Sequence, residues 1–186
     1  SDSELEYNNR NVKAAYIGFK LKNKDGQLVT WTTTPWTVVG HQFVAVDKDS
    51  TYVCVESQDS SYYVEKSCVD DFVNNVLGKS ANKVSELDGS KLVGEKYEHP
   101  LNSIVTGLPD QNYQVEYAEY VESEKTGLVH SAPGFGHEDY ERGIELNLEP
   151  FSPVDESGKF TEEAGNMFND LYVHKEGSEE VLNYLD

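Results

Sequence analysis

Cysteine is scarce in this sequence: Cys54 and Cys68 are the only two among 186 residues. A disulfide framework therefore cannot carry the fold, and neither thiol has a metal-type partner at short spacing. The stretch Tyr52-Val53-Cys54-Val55 reads as a buried strand, and both thiols are expected to be reduced. The five histidines are scattered without ligand spacing, so no metal is expected. Basic residues are few, 15 against 34 acidic ones, for a formal net charge of −19. Such a surface repels a phosphate backbone, which counts against extensive nucleic-acid binding by this chain alone. It still allows the end of a strand to be gripped while a partner domain holds the rest. No apolar run is long enough to span a membrane, and no signal peptide is visible. The opening Ser1-Asp2-Ser3-Glu4 lacks an initiator Met and reads as a piece cut from a larger protein, or as a processed end.

What is present suffices for a core. Hydrophobic residues make up 37% and aromatics 11%, with twelve Tyr, which argues against wholesale disorder. Residues 1–12 are polar and read as a flexible leader, leaving 13–186 as one domain. Ala14 to Leu21 and Leu28 to Thr33 form a predicted hairpin across Lys24-Asp25-Gly26. Phe43–Val46, Thr51–Val55 and Tyr62–Glu65 are further β-rich runs. Val69, Phe72, Val73, Val76 and Leu77 have helical spacing, with Gly78 as a stop. Residues 84–118 read as short strands broken by Gly and Pro. A second helix is expected from His137 to Leu148, with Tyr140, Ile144 and Leu148 on one face. A third starts at Ser178, taken as its N-cap, with Val181, Leu182 and Leu185 as its apolar side. Many short strands and few helices imply an α+β domain, expected to rest on a closed or half-closed β-barrel-like core.

Two segments carry chemistry. The first is Thr30-Trp31-Thr32-Thr33-Thr34-Pro35-Trp36-Thr37. Pro35 cannot donate to a sheet ladder, so the strand ends there. The threonine hydroxyls at that end offer uncharged donors and acceptors. They can orient a water, an ester carbonyl or a ribose hydroxyl, but cannot deprotonate one. Taken alone, the triplet also reads as ordinary strand Thr between core Trp residues. The second segment runs from Thr126 to Tyr140: a strand delivers His130, a loop of small residues and Pro follows, and a helix begins with Glu138 and Asp139. A carboxylate in a first helical turn is favoured by the macrodipole and stays ionised, which suits binding an ammonium group better than acting as a base. Both acids equally suit a plain helix start. The Gly134-Phe135-Gly136 pattern is no dinucleotide fingerprint, because the third glycine is missing.

Together the segments resemble the inserted editing domain of isoleucyl-tRNA synthetases, whose members carry Trp-Thr-Thr-Thr-Pro-Trp-Thr and, further on, Val-His-x-Ala-Pro-x-x-Gly-x-x-Asp-Tyr. Both motifs are here in that order, at Trp31–Thr37 and Val129–Tyr140, and the likeness continues through Pro153–Thr161. Valyl and leucyl enzymes usually place Arg where this chain has Thr34, and Lys or Met where it has His130. The tail near Asn169-Asp170-Leu171 looks closest to bacterial and mitochondrial forms.

The resemblance implies an α+β editing fold and hydrolysis of mischarged Val-tRNA(Ile). Asp139 would hold the substrate's ammonium. His130 would exclude isoleucine and help place the water. Thr32 and Thr33 would contact substrate or the terminal adenosine. Thr34, His41, Trp36, Gly134, Phe135 and Gly136 would line the substrate site. The implied partners are the 3′ end of aminoacylated tRNA(Ile) and the remainder of a synthetase, in the cytoplasm or mitochondrial matrix. Editing itself would need no cofactor, whereas the parent enzyme would use ATP and Mg; this chain shows neither signature of the synthetic site. Three positions depart from the family pattern. His41 stands where an Asn usually lines the pocket, Lys125 replaces the usual Gly before Thr126-Gly127, and Phe135 takes a position that is His in many bacterial members. The alternative is a degenerate editing fold kept as a tRNA-binding or structural insert.

Overall fold

Apolar side chains on both faces of the first hairpin bury most of its two strands, all but Lys20 in the first and all but Gln27 and Trp31 in the second. The computed structural model of the chain describes residues 4–5, 14–78 and 80–186. Strand β1 (Glu4–Leu5) pairs antiparallel with β2 (Ala15–Lys20), so two residues of the expected leader belong to a sheet edge; its remainder lies outside the described residues. Strand β2 pairs antiparallel with β3 (Gln27–Thr32) in the register Ala15↔Thr32 to Lys20↔Gln27. The turn between them closes at Gly26, whose φ of +118° only glycine adopts without strain.

β4 (Phe43–Val46), β5 (Thr51–Ser57) and β6 (Ser60–Glu65) follow as expected. Helix α1 (Val69–Phe72) widens into a π-turn at Val73–Leu77 and stops at Gly78, with φ +82°. β7 (Ala81–Asp88) is longer than the broken pattern suggested, and α2 (Gly89–Leu92) and β8 (Val115–Tyr117) complete that region. β9 (Leu128–Ser131) leads through a loop into α3 (His137–Glu145). The last helix, α4 (Ser178–Leu185), is preceded by a π-turn at Val173–Gly177. Ser178 therefore does not cap a free helix end: it is buried inside a helical path that begins five residues earlier.

Six strands form one sheet in the order β1-β2-β3-β6-β5-β7, and three form another, β8-β4-β9. Both are mixed, since β3–β6 and β4–β8 run parallel. The α+β class holds, and of the closed or half-closed core expected, the closed form is not found among the described residues. β3 and β6 share only the pairs Gln27↔Tyr62 and Leu28↔Tyr63, and after β3 the chain turns away to start the second sheet.

Period-two alternation sorts the side chains into cores on opposite faces. Ile17, Phe19, Leu28, Val44 and Val46 meet Tyr52, Leu92, Tyr97, Leu101, Phe160, Phe168, Val181 and Leu185 between the sheets. Tyr16, Val29, Val53, Val55 and Val64 face the other way, under Val69 and Phe72. Phe43 and Ala45 pack with Ala118, Val121, Leu146 and Leu148. Each large side chain buried this way contributes on the order of 1.5–3 kcal/mol. Helix α3 departs from expectation. It ends at Glu145, and Tyr140 and Ile144 are 47% and 50% exposed, while Gly143 is the buried contact, set against Pro133. Cys54 and Cys68 are both buried free thiols. Among the described residues no helix is long and apolar enough to cross a membrane.

Candidate functional site

Pro35 ends β3 and opens a 3-10 turn, Pro35–Gly40. That turn folds Thr37 back beneath Thr34: its amide donates to the Thr34 carbonyl at 3.0 Å, and its hydroxyl donates to the same oxygen at 2.7 Å. The Thr34 amide donates to the Thr32 hydroxyl at 3.0 Å, and the Thr32–Thr34 and Thr34–Thr37 hydroxyl pairs lie 3.4 and 3.3 Å apart. Threonines 32, 34 and 37 thus form one hydroxyl cluster. Thr33, on the alternate side of the strand end, is exposed and outside it.

β9 brings His130 to this cluster through the antiparallel pair Val44↔His130. Its Nε2 lies 2.9 Å from the Thr37 hydroxyl and its Nδ1 2.7 Å from Nδ1 of His41. His41 Nε2 lies 2.6 Å from the Tyr97 hydroxyl. Burial holds His130 down to about 4. His41 lies well below the ordinary histidine value, first through burial and then through its His130 and His99 neighbours. Both rings are therefore neutral at pH 7.

Asp139 sits in the first turn of α3, and its Oδ2 accepts the Ala132 amide at 2.9 Å. The Tyr120 phenol also bonds the carboxylate, and Tyr120 in turn lies 2.8 Å from the Ser131 hydroxyl. Burial raises the carboxyl above its ordinary value, and the Ala132 and Tyr120 hydrogen bonds pull it back.

A cavity of about 160 Å³ is bounded by Thr32, Thr34, Thr37, His130, Ala132, Phe135, Gly136 and Asp139. It is well below the 300–1,000 Å³ of sites for drug-sized ligands, so it suits a small group. Among the expected site residues, Thr32, Thr34, His130, Phe135, Gly136 and Asp139 converge on it. Four do not line it. Thr33 is exposed. Trp36 stands behind Phe135, ring centroids 4.9 Å apart. Gly134 abuts the Phe151 carbonyl, which a Cβ would meet at 2.1 Å. His41 is fully buried behind His130 rather than on the pocket wall.

Residues the sequence did not single out complete the site. Thr37 stood in the threonine segment, where a hydroxyl at the turn's third residue was the available signal. Tyr97, Tyr120 and Gln42 had none, because their roles depend on distant partners. Gln42 is buried and clamps the loop around 149–151 to the start of β4: its side chain donates to the Glu149 carbonyl at 2.8 Å and accepts the Phe151 amide at 2.9 Å. The departures also find places. Lys125 adopts φ +60°, a conformation glycine takes freely, and its ammonium lies 4.6 Å over the Trp31 ring. Phe135 fills the space over Gly40, where a Cβ would meet its ring at 2.4 Å.

A larger groove, about 670 Å³, runs along α3 between Tyr117, Glu119, Tyr120, Glu138, Glu141, Arg142 and Glu145. Its acidic lining disfavours phosphate, and it gathers no hydroxyl cluster comparable to the smaller cavity. Among the described residues no group of three or more His, Cys, Asp or Glu could hold a metal ion.

No protein-family profile matches the chain. It is 44% identical over 190 residues to the isoleucine–tRNA ligase of Haloquadratum walsbyi, covering 99% of this chain and 18% of that protein. It is 37% identical over 190 residues to the isoleucine–tRNA ligase of Archaeoglobus fulgidus, covering 100% of this chain and again 18% of the relative. The chain thus spans under a fifth of the length of these relatives. They are archaeal, so the expected bacterial or mitochondrial affinity, and with it the mitochondrial matrix, finds no support. Among solved structures it resembles the cytosolic leucyl-tRNA synthetase editing domain of P. falciparum, with a TM-score of 0.61 at 10% identity over 88% of this chain and 79% of that one. The corresponding P. knowlesi domain gives 0.58 at 11% over 92% and 82%. Aligned end to end with a segment of these ligases, the chain is homologous to that segment of isoleucine–tRNA ligases, and it has the fold of the synthetase editing domains.

Proposed function

We propose that the 160 Å³ cavity hydrolyses the ester of valine mischarged onto tRNA(Ile), taking only the 3′ end of the tRNA while the rest of a synthetase holds the remainder. The observation that carries this reading is the convergence of one carboxylate, three hydroxyls and one neutral imidazole on a space sized for a small acyl group. Asp139 holds the α-ammonium. The Thr32 and Thr34 hydroxyls orient the attacking water and the ester carbonyl. His130 walls off the larger side chain. Water adds to the carbonyl carbon and loses a proton; the carbon–oxygen bond to the ribose breaks, and the ribose oxygen takes a proton up. A neighbouring ribose hydroxyl assists, since no residue here has the profile of a strong base. No metal or cofactor enters the scheme, whereas ATP and Mg belong to the adenylate-forming chemistry proposed for the parent enzyme.

A sieve of this kind answers a physical limit. A hydrophobic pocket tells one methylene apart by only about 10- to 200-fold, and the isoleucine–valine pair is the standing example. The test is release of amino acid from valyl- and isoleucyl-tRNA(Ile): valine is released and isoleucine is spared. Release of neither would leave the chain as a structural or tRNA-holding insert.

A further inference from the structure

From the cavity wall inward, four side chains form a hydrogen-bonded file whose direction can be assigned. Thr37 has one hydroxyl proton, and it is committed to the Thr34 carbonyl at 2.7 Å, an oxygen that can only accept. The 2.9 Å contact with His130 must then be Nε2–H donating to Thr37. A neutral imidazole protonated at Nε2 is an acceptor at Nδ1, so the 2.7 Å contact between the histidines is His41 Nδ1–H donating. His41 is left bare at Nε2 and accepts the Tyr97 hydroxyl at 2.6 Å. Protons therefore point one way, from Tyr97 through His41 and His130 to Thr37.

We propose that Tyr97 and His41 are positioning residues that hold His130 in the Nε2–H tautomer, with both ring nitrogens engaged by protein side chains, so that its carbon edge faces the acyl group as a fixed wall. This deepens the deacylase reading and rests on it. A ring with both nitrogens engaged cannot place the attacking water through either of them, which leaves that task to Thr32 and Thr34. It can exclude, and exclusion needs rigidity: a wall that gives way admits an extra methylene. The file is pinned at its far end by a fully buried phenol and flanked by Phe19, whose ring lies 4.4 Å from His41 and 6.4 Å from His130 between centroids. His99 stands beside the file, its centroid 5.5 Å from that of His41, but its Nδ1 accepts the Leu101 amide at 3.0 Å and it takes no part. An Asn at position 41 could not span the same two partners through one planar ring.

The test has two arms. Long-range ¹H–¹⁵N correlation of histidine-labelled protein at pH 7 should show His130 protonated on Nε2 and His41 on Nδ1. The opposite pattern overturns the proposal without any variant. In the second arm the synthetase containing this chain is assayed for release of valine and isoleucine from tRNA(Ile). Tyr97→Phe removes the donor that orients His41. It should give a mixed tautomer signal and lower the valine-to-isoleucine ratio about tenfold, the scale of one methylene, through faster isoleucine release. His41→Gln can still donate to His130 and accept from Tyr97, and should keep the ratio within about threefold of the parent. A folded Tyr97→Phe protein with parental discrimination overturns the proposal. A parent that releases neither amino acid defeats the deacylase reading instead, and the spectrum then decides the orientation of His130 by itself.

Discussion

Asp139 and Ala132 are joined across the loop between β9 and α3: the carboxylate Oδ2 in the helix's first turn accepts the amide of Ala132 at 2.9 Å. One bond ties the strand that carries His130 to the helix that carries the anion, so the two sides of the cavity move together. The carboxylate reaches its place half-buried, where charge is costly, and two hydrogen bonds hold it there.

Asp139→Asn keeps an acceptor for the Ala132 amide and removes the charge. Loss of one member of a desolvated charge pair costs about 2–5 kcal/mol, so valyl-tRNA deacylation should fall by about 30-fold or more at about 1.4 kcal/mol per tenfold. Stability should move the other way. Because burial raises this carboxyl in the folded state, its ionised form works against folding at neutral pH. The Asn variant should melt at the parental temperature or slightly above it. Normal deacylation, or a collapse in melting temperature with lost activity, would remove Asp139 from the ammonium site.

His130→Ala should open the wall and let isoleucyl ester be cleaved, raising isoleucine release by about 10- to 100-fold. It also leaves His41 Nδ1–H without its partner, at a cost of about 1–3 kcal/mol. Calorimetry and the two-ester assay on the same preparation separate these effects. An Ala variant that still spares isoleucine means that another residue is the gate.

The residues within one continuous stretch were legible from the sequence. Thr32, Thr34, His130 and Asp139 stand in two short motifs, each placed by local rules: Pro35 ends the strand, glycines shape the loop, and an acid opens the helix. What lay between distant stretches was not legible. Tyr97 reaches the site through its bridge to Leu21 at the end of β2 and its bond to His41, and Tyr120 through Ser131 at the end of β9. His41 read as a pocket residue because its place in the motif is one, yet the 3-10 turn Pro35–Gly40 ends on it and leaves it fully buried between Tyr97 and His130. The exposure of Tyr140 and Ile144 escaped the periodic reading for a different reason: four-apart spacing marks a face, but not whether that face is covered. Closure of the sheet was equally beyond local pattern, since it depends on how far β3 and β6 run together.

Acid should destabilise the protein above the carboxylate range. His99 is held near about 3 and His130 near about 4, both by burial, against an ordinary value of 6.5. Their folded values are depressed, so the unfolded chain binds more protons below pH 6.5. Stability from these residues is whole above 6.5 and is lost as pH falls toward 4. For His130 alone the full loss is about 3 kcal/mol. Urea midpoints from pH 8 to 5 should stay level down to about 6.5 and then drop; a level curve to pH 5 would contradict the buried neutral histidines.

Salt should stabilise the fold, because 34 acids against 15 bases repel one another across the surface. Glu119, Glu138, Glu141 and Glu145 line a single groove along α3. The screening length shrinks from about 10 Å at 0.1 M to about 3 Å at 1 M, so this repulsion is largely removed by 1 M KCl. The melting temperature at pH 7 should rise by several degrees over that range, the shift a gain of about 1 kcal/mol produces in a domain of this size. Screening and general salting-out both predict a rise, and pH tells them apart. Near pH 4 many carboxylates are protonated, so a rise that comes from screening shrinks there, whereas one that comes from exclusion of salt from apolar surface persists. A rise of equal size at both pH values would mean that the excess of acids is a solvated surface with no net cost to folding.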